Sequence, residues 1–158
     1  MLQPTSCRGF SLIEVCIVIF VVITVTGLLI PSLAALRSNE PLRGTVVEFK
    51  ALVRTTHKEA ITQQKNMQLK FMEREIHLFA QDKPTQILYT LPLPKEVLYE
   101  LRFWQEKEWL KGKEQLWTQT TAGLAEPLEL RFRSKSSWVE LTIDPLSATT
   151  SNESYYYE

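Results

Sequence analysis

One stretch constrains this chain more than any other. The segment Phe10 to Ile30 is apolar except for a carboxylate at Glu14, and from Val15 to Ile30 it carries no charge. A run of about twenty apolar residues, at about 1.5 Å per helical residue, matches a hydrocarbon core about 30 Å thick. The run therefore reads as a transmembrane helix, and Glu14 is the anomaly in it. A carboxylate near the centre of such a span is disfavoured by about 2.5–3.5 kcal/mol, less toward its ends. A cleaved secretory signal would have a shorter apolar region, although Ser32, Leu33 and Ala34 offer small residues to a signal peptidase. A plain anchor accounts for the length but not for the acid. Flanking charge leaves its orientation open, because Arg8 faces Arg37 and Arg43 across the run.

The rest of the chain is sized for one small globular domain. Formal net charge is zero, so no overall bias points to nucleic acid or to an acidic partner. Both cysteines, Cys7 and Cys16, lie in or before the apolar run. The domain beyond can form neither a disulfide nor a thiolate metal site, and both cysteines read as incidental small hydrophobes.

The octet Arg8-Gly9-Phe10-Ser11-Leu12-Ile13-Glu14-Val15 resembles the type IV prepilin motif, a basic residue and glycine followed by F-[ST]-L-[IL]-E. The resemblance implies a leader over residues 1–9, cut after Gly9 by a prepilin peptidase that then N-methylates Phe10. It also implies a transmembrane and assembly helix over residues 10–30. In a fibre, Glu14 of one subunit would meet the terminal amine that the cut creates on its neighbour. Such a buried pair fixes register between apolar helices better than it adds stability. Pro31 stands where many members of the family carry a helix-kinking proline, though it would equally mark the end of a span.

Beyond Pro31, Leu42, Val46, Phe49, Val53 and Ala60 recur on one helical face, with Arg43, Lys50, Arg54 and Lys58 elsewhere. Pro41 interrupts or kinks the rod before this segment, and polar residues at 64–66 end it. Alternation then predicts strands at 67–71, about 76–78, 86–90, 97–103, 128–133 and 138–143, with prolines and Gly123 in the connections. The expected fold is α+β and pilin-like, a long N-terminal transmembrane helix packed on an antiparallel sheet. The globular domain spans 31–150, and 151–158, SNESYYYE, reads as a flexible tail. The stretch LVRTTHKEAITQQKNMQLKF, with LPLPKEVLYEL and IDPLSA, is similar to the GspH/FimT minor pseudopilin group. The glycine usual near IDPLSA is missing here.

No nucleophile elbow, P-loop, zinc motif or dinucleotide fingerprint occurs, so no catalytic residue, cofactor or metal is expected. His57 and His77 read as satisfied or solvated side chains. In FWQEKEWLKGKEQLW, Trp104, Trp109 and Trp117 either form a contact surface for another subunit or pack over a sheet edge. A small basic excess over 37–74, interspersed with glutamates, makes nucleic acid an unlikely partner.

The resemblance implies a minor pseudopilin in the pseudopilus of a type II secretion system. Its partners would be other pseudopilins through the N-terminal helix, the prepilin peptidase and the inner-membrane assembly platform. It would be a single-pass protein of the bacterial inner membrane, with its C-terminal domain in the periplasm. A minor pilin of a type IV pilus or competence system shares these N-terminal features. A signal-anchored periplasmic enzyme is the third reading.

Overall fold

The computed structural model describes residues 12–38 and 40–156. The chain forms two compact units, which divide between Ser38 and Asn39. The first contains helix α1, Leu12–Ser38. Two threonines within α1 bond to its own backbone: Thr24 Oγ1 donates to the Phe20 carbonyl at 2.8 Å and Thr26 Oγ1 to that of Val22 at 2.7 Å. Their hydroxyls are thus satisfied locally. The helix continues past Pro31 to Ser38.

The expectation of a transmembrane helix is not met. Among the described residues, no helix is long and apolar enough to cross a membrane. The described apolar stretch of α1, residues 12–26, includes the carboxylate of Glu14. The single-pass inner-membrane placement that rested on this helix is corrected with it.

The second unit opens with α2, Glu40–Gln63. Pro41 sits in its first described turn, where a missing N–H is tolerated. The apolar stripe read from sequence is the buried face: Leu42, Val46, Phe49, Val53 and Ala60 are all inside. Buried Thr45 and Thr56 donate to the Pro41 and Leu52 carbonyls, both at 2.8 Å. The helix ends in a Schellman turn. Lys65 N–H reaches the Ala60 carbonyl at 3.2 Å, and Gln64 takes φ 53° without being glycine. Gln64 Nε2 covers the Ile61 carbonyl as well, at 2.8 Å.

Among the described residues nine strands follow: β1 Met67–Phe71, β2 Glu75–Ala80, β3 Ile87–Pro92, β4 Leu98–Phe103, β5 Leu110–Lys111, β6 Gln115–Gln119, β7 Leu128–Ser134, β8 Ser137–Ile143 and β9 Thr150–Tyr156. They make two antiparallel sheets rather than one, ordered β3-β2-β1-β6 and β5-β4-β7-β8-β9. Helix α2 packs on both. An aromatic cluster joins the three layers. The Phe49 ring lies 5.4 Å from Phe132, edge to face, and 6.3 Å from Phe71, while Tyr99 stands 6.0 Å from Phe71 and 6.3 Å from Phe132.

Two further expectations change. The segment read as a flexible tail is largely β9, which pairs along β8 from Trp138↔Tyr156 to Ile143↔Thr150 and is tied to α2 by Lys50–Glu153 at 2.6 Å. Its residues are polar because an edge strand over water needs no apolar alternation. Strand β6 was hidden in the charged tryptophan segment. It pairs with β1, and it buries Trp117 beside the polar Gln119.

Candidate assembly surfaces

The first candidate surface is α1. From Leu12 to Thr26 every described side chain is exposed, with Leu12 at 83% and Phe20 at 72%. The sequence there, LIEVCIVIFVVITVT, has apolar residues on all sides of the helix, so it has no polar face to turn to water. Exposed apolar surface on this scale marks a site of association. Glu14 is exposed in the first described turn. Cys16 is exposed and unpaired. Pro31 lies within α1, and Gly9 and Phe10 lie outside the described residues.

The second surface is the outer face of the five-stranded sheet. Leu101, Leu130 and Leu141 point into the core, so Arg102, Glu129, Arg131, Glu140 and Thr142 point away from it. Opposite charges face each other across the strands. Arg102 Nε donates to Glu129 at 2.7 Å, and Arg131 donates to Glu140 at 2.8 and 3.1 Å. Trp109 lies over both arginines, its ring 4.7 Å from the Arg102 guanidinium and 4.1 Å from that of Arg131. This clamp fastens the β4–β5 loop to the sheet.

The three tryptophans therefore have three environments. Trp117 is core, its Nε1 donating to the Glu126 carbonyl at 2.6 Å. Trp109 is the half-buried clamp, and Trp104, in the same fastened loop, is 81% exposed. Trp104 borders a groove of about 560 Å³ floored by Phe103, Pro127, Leu128 and Ile143. Glu106 and Asp144 stand on its rim, and neither has a cationic partner among the described residues. Asp144 accepts from the Leu146 and Ser147 N–H groups at 2.7 and 3.0 Å. Those two bonds, Ser147 first, hold its carboxyl below the usual range. The sequence flagged the aromatic segment, but only the sheet register separates the exposed tryptophan from the other two.

No catalytic grouping emerges from the two histidines. His57 is half-buried on α2, and His77 lies on the four-stranded sheet with its Nε2 3.0 Å from Glu75. Among the described residues, no cluster of His, Cys, Asp and Glu could hold a metal ion.

No family model and no curated protein matches the chain. Two solved structures share its backbone arrangement. The type IV minor pilin FimU of Pseudomonas aeruginosa superposes with a TM-score of 0.54 at 11% identity, covering 76% of this chain and 90% of that one. The minor pseudopilin EpsH from the Type 2 Secretion System of Vibrio cholerae gives 0.52 at 12% identity, covering 73% and 94%. The fold is that of minor pilins and pseudopilins. At such identity the likeness extends to architecture alone, and the GspH/FimT subgroup is not distinguished by it.

Proposed function

We propose that the chain is a non-catalytic filament subunit, a minor pseudopilin of the GspH/FimT type serving a type II secretion system. The observation that carries this reading is α1, apolar on every side and exposed along its described length. Helices of that kind gain most by burying one another, and a fibre of parallel subunits does so. The motif RGFSLIEV supplies the processing step: cleavage after Gly9 by a prepilin peptidase, N-methylation of Phe10, and an amine to pair with Glu14 of the adjoining subunit. Pro31 would bend the helix as it leaves the fibre axis. Other pseudopilins and the assembly platform of the secretion system are the implied partners. The likeness to FimU supports a second reading, a minor pilin of a type IV pilus.

Mass spectrometry of the mature N-terminus tests the core of this reading. N-methylated Phe10 is expected, and a terminus such as Ala35 would overturn it. Glu14→Ala is expected to be processed normally yet to be lost from sheared or sedimented filaments. Incorporation at the wild-type level would remove the ion pair from the account.

A further inference from the structure

The five-stranded sheet is open at the end where β4 stops, β7 begins and β8 stops. Phe103, Leu128 and Ile143 form its last row of core-side residues, aligned by the pairs Phe103↔Leu128 and Leu128↔Ile143, and this row floors the Trp104 groove. The rim above it is acidic. Three of the four charged lining residues are acids, Glu106, Glu129 and Asp144. The one base, Arg102, is already held by Glu129 and by the ring of Trp109. Glu106 and Asp144 therefore stand beside an exposed indole with no cation among the described residues to offset them.

Both walls of the groove are fixed before anything binds. Glu106 N–H donates to the Phe103 carbonyl at 3.0 Å, closing a turn that carries Trp104, and Trp109 fastens the rest of that loop. On the other wall the Asp144 carboxylate accepts from Leu146 and Ser147, and its carbonyl accepts from Ala148 N–H at 3.0 Å. Little ordering is lost on docking to such a surface. The adjoining sheet shows what an indole and a carboxylate hold together. Arg102 lies 4.7 Å from the Trp109 ring while it pairs with Glu129, and Arg131 lies 4.1 Å from the same ring while it pairs with Glu140. A guanidinium suits both at once, because its flat face stacks while its edge donates; an ammonium is a point charge without that face.

We propose that the Trp104 groove receives an arginine side chain of a different protein, stacked on the indole and donating to Glu106 and Asp144. An apolar neighbour of that arginine covers Phe103 and Pro127. The identity of the partner rests on the filament reading, since a minor subunit meets unlike subunits rather than copies of itself. Helix α1 cannot choose among them, because a surface apolar on all sides is matched equally well by any apolar neighbour; an acidic groove with an aromatic wall can. A contact of this size is weak alone, and packing of α1 raises the effective concentration at which it forms.

Two measurements test it. The full-length protein in detergent micelles is titrated with the peptide acetyl-arginyl-leucinamide and with its uncharged citrulline counterpart, followed by NMR of the peptide. The arginine peptide should bind at least about tenfold more tightly than the citrulline one, and more tightly than the lysine analogue. Glu106→Gln and Trp104→Ala should each weaken it by about tenfold, the ordinary consequence of losing a charge partner or an aromatic anchor. Equal affinity for the arginine and citrulline peptides would overturn the inference. In assembled filaments, a photoreactive benzoylphenylalanine in place of the exposed Gln105 should cross-link to an unlike subunit, within a segment that contains arginine. Glu106→Arg should cut that product by about tenfold, and a glutamate in place of the partner's arginine should restore it. Cross-linking to a second copy, or to a segment without arginine, would also overturn the inference. Filaments with a processed Phe10 terminus and no such cross-link would sink the groove contact and leave the subunit reading standing. Selective binding of the arginine peptide by a chain without a Phe10 terminus would keep the arginine site and remove the filament reading.

Discussion

The two described helices make opposite use of similar material. In α2 most of the apolar residues lie in one stripe that packs on both sheets; in α1 the described side chains are apolar on all sides and remain outside. The difference lies in patterning as much as in amount of hydrocarbon. A helix with one apolar stripe can be satisfied within its own unit, whereas one that is apolar all round needs neighbours on several sides. The first is therefore part of a fold, and the second leaves its described apolar surface uncovered.

Substitutions that act on one helix and spare the other test this contrast. The largest effect on folding should come from Phe49→Ala. It removes the ring that joins both sheets and should destabilise the unit by about 3–5 kcal/mol in chemical denaturation. Gly112→Ala comes next. A methyl group there would lie 2.0 Å from the Tyr99 ring, whose hydroxyl donates to the Met72 carbonyl, so the ring cannot swing away without breaking that bond. Overpacking of this kind costs about 1–3 kcal/mol, and the melting temperature should fall accordingly.

A smaller change, of the opposite sign, is expected at the β7–β8 turn. Lys135 holds φ 53° in the two-residue connection between Ser134 and Ser137, a backbone position that favours glycine. Lys135→Gly should raise stability by up to about 1 kcal/mol, the relief of strain being offset in part by the freer unfolded chain. Acid should produce a local effect at Asp144. Its native pKa lies below the ordinary 3.8, so its contribution is complete above that value and is lost as pH falls through the lower native one. Faster amide exchange at Leu146 and Ser147 in that acidic window, ahead of the core strands, is the expected sign. At the end of the series stands Ile17→Asp on exposed α1. It should leave the melting of the second unit within about 0.5 kcal/mol of wild type while preventing filament incorporation. A marked loss of folding stability there would break the contrast between the helices.

Much of the second unit was legible from residue order because its elements follow simple periods. The stripe Leu42-Val46-Phe49-Val53-Ala60 and the alternation in LELRFR each placed a buried face correctly. Legibility failed where burial was not apolar, or where pairing alone held a strand. Gln119 is fully buried on β6 opposite Met67, and β9 has almost no apolar side chains. The length of the Phe10–Ile30 run also suggested a membrane span that the described helix does not provide.

By itself the sequence determined the local terms: which helix has one apolar face and which has no polar face, where strands alternate, and that Glu14 lies in a hydrocarbon run. Those properties depend on neighbours within a few residues, so a linear pattern contains them. Only tertiary structure decided that the strands divide into two sheets, and that residues 150–156 close the second one. It also decided that Trp117 is core, Trp109 a clamp and Trp104 exposed beside a groove. Each of these depends on strand register between residues far apart in the chain, where a shift of one position exchanges inside for outside.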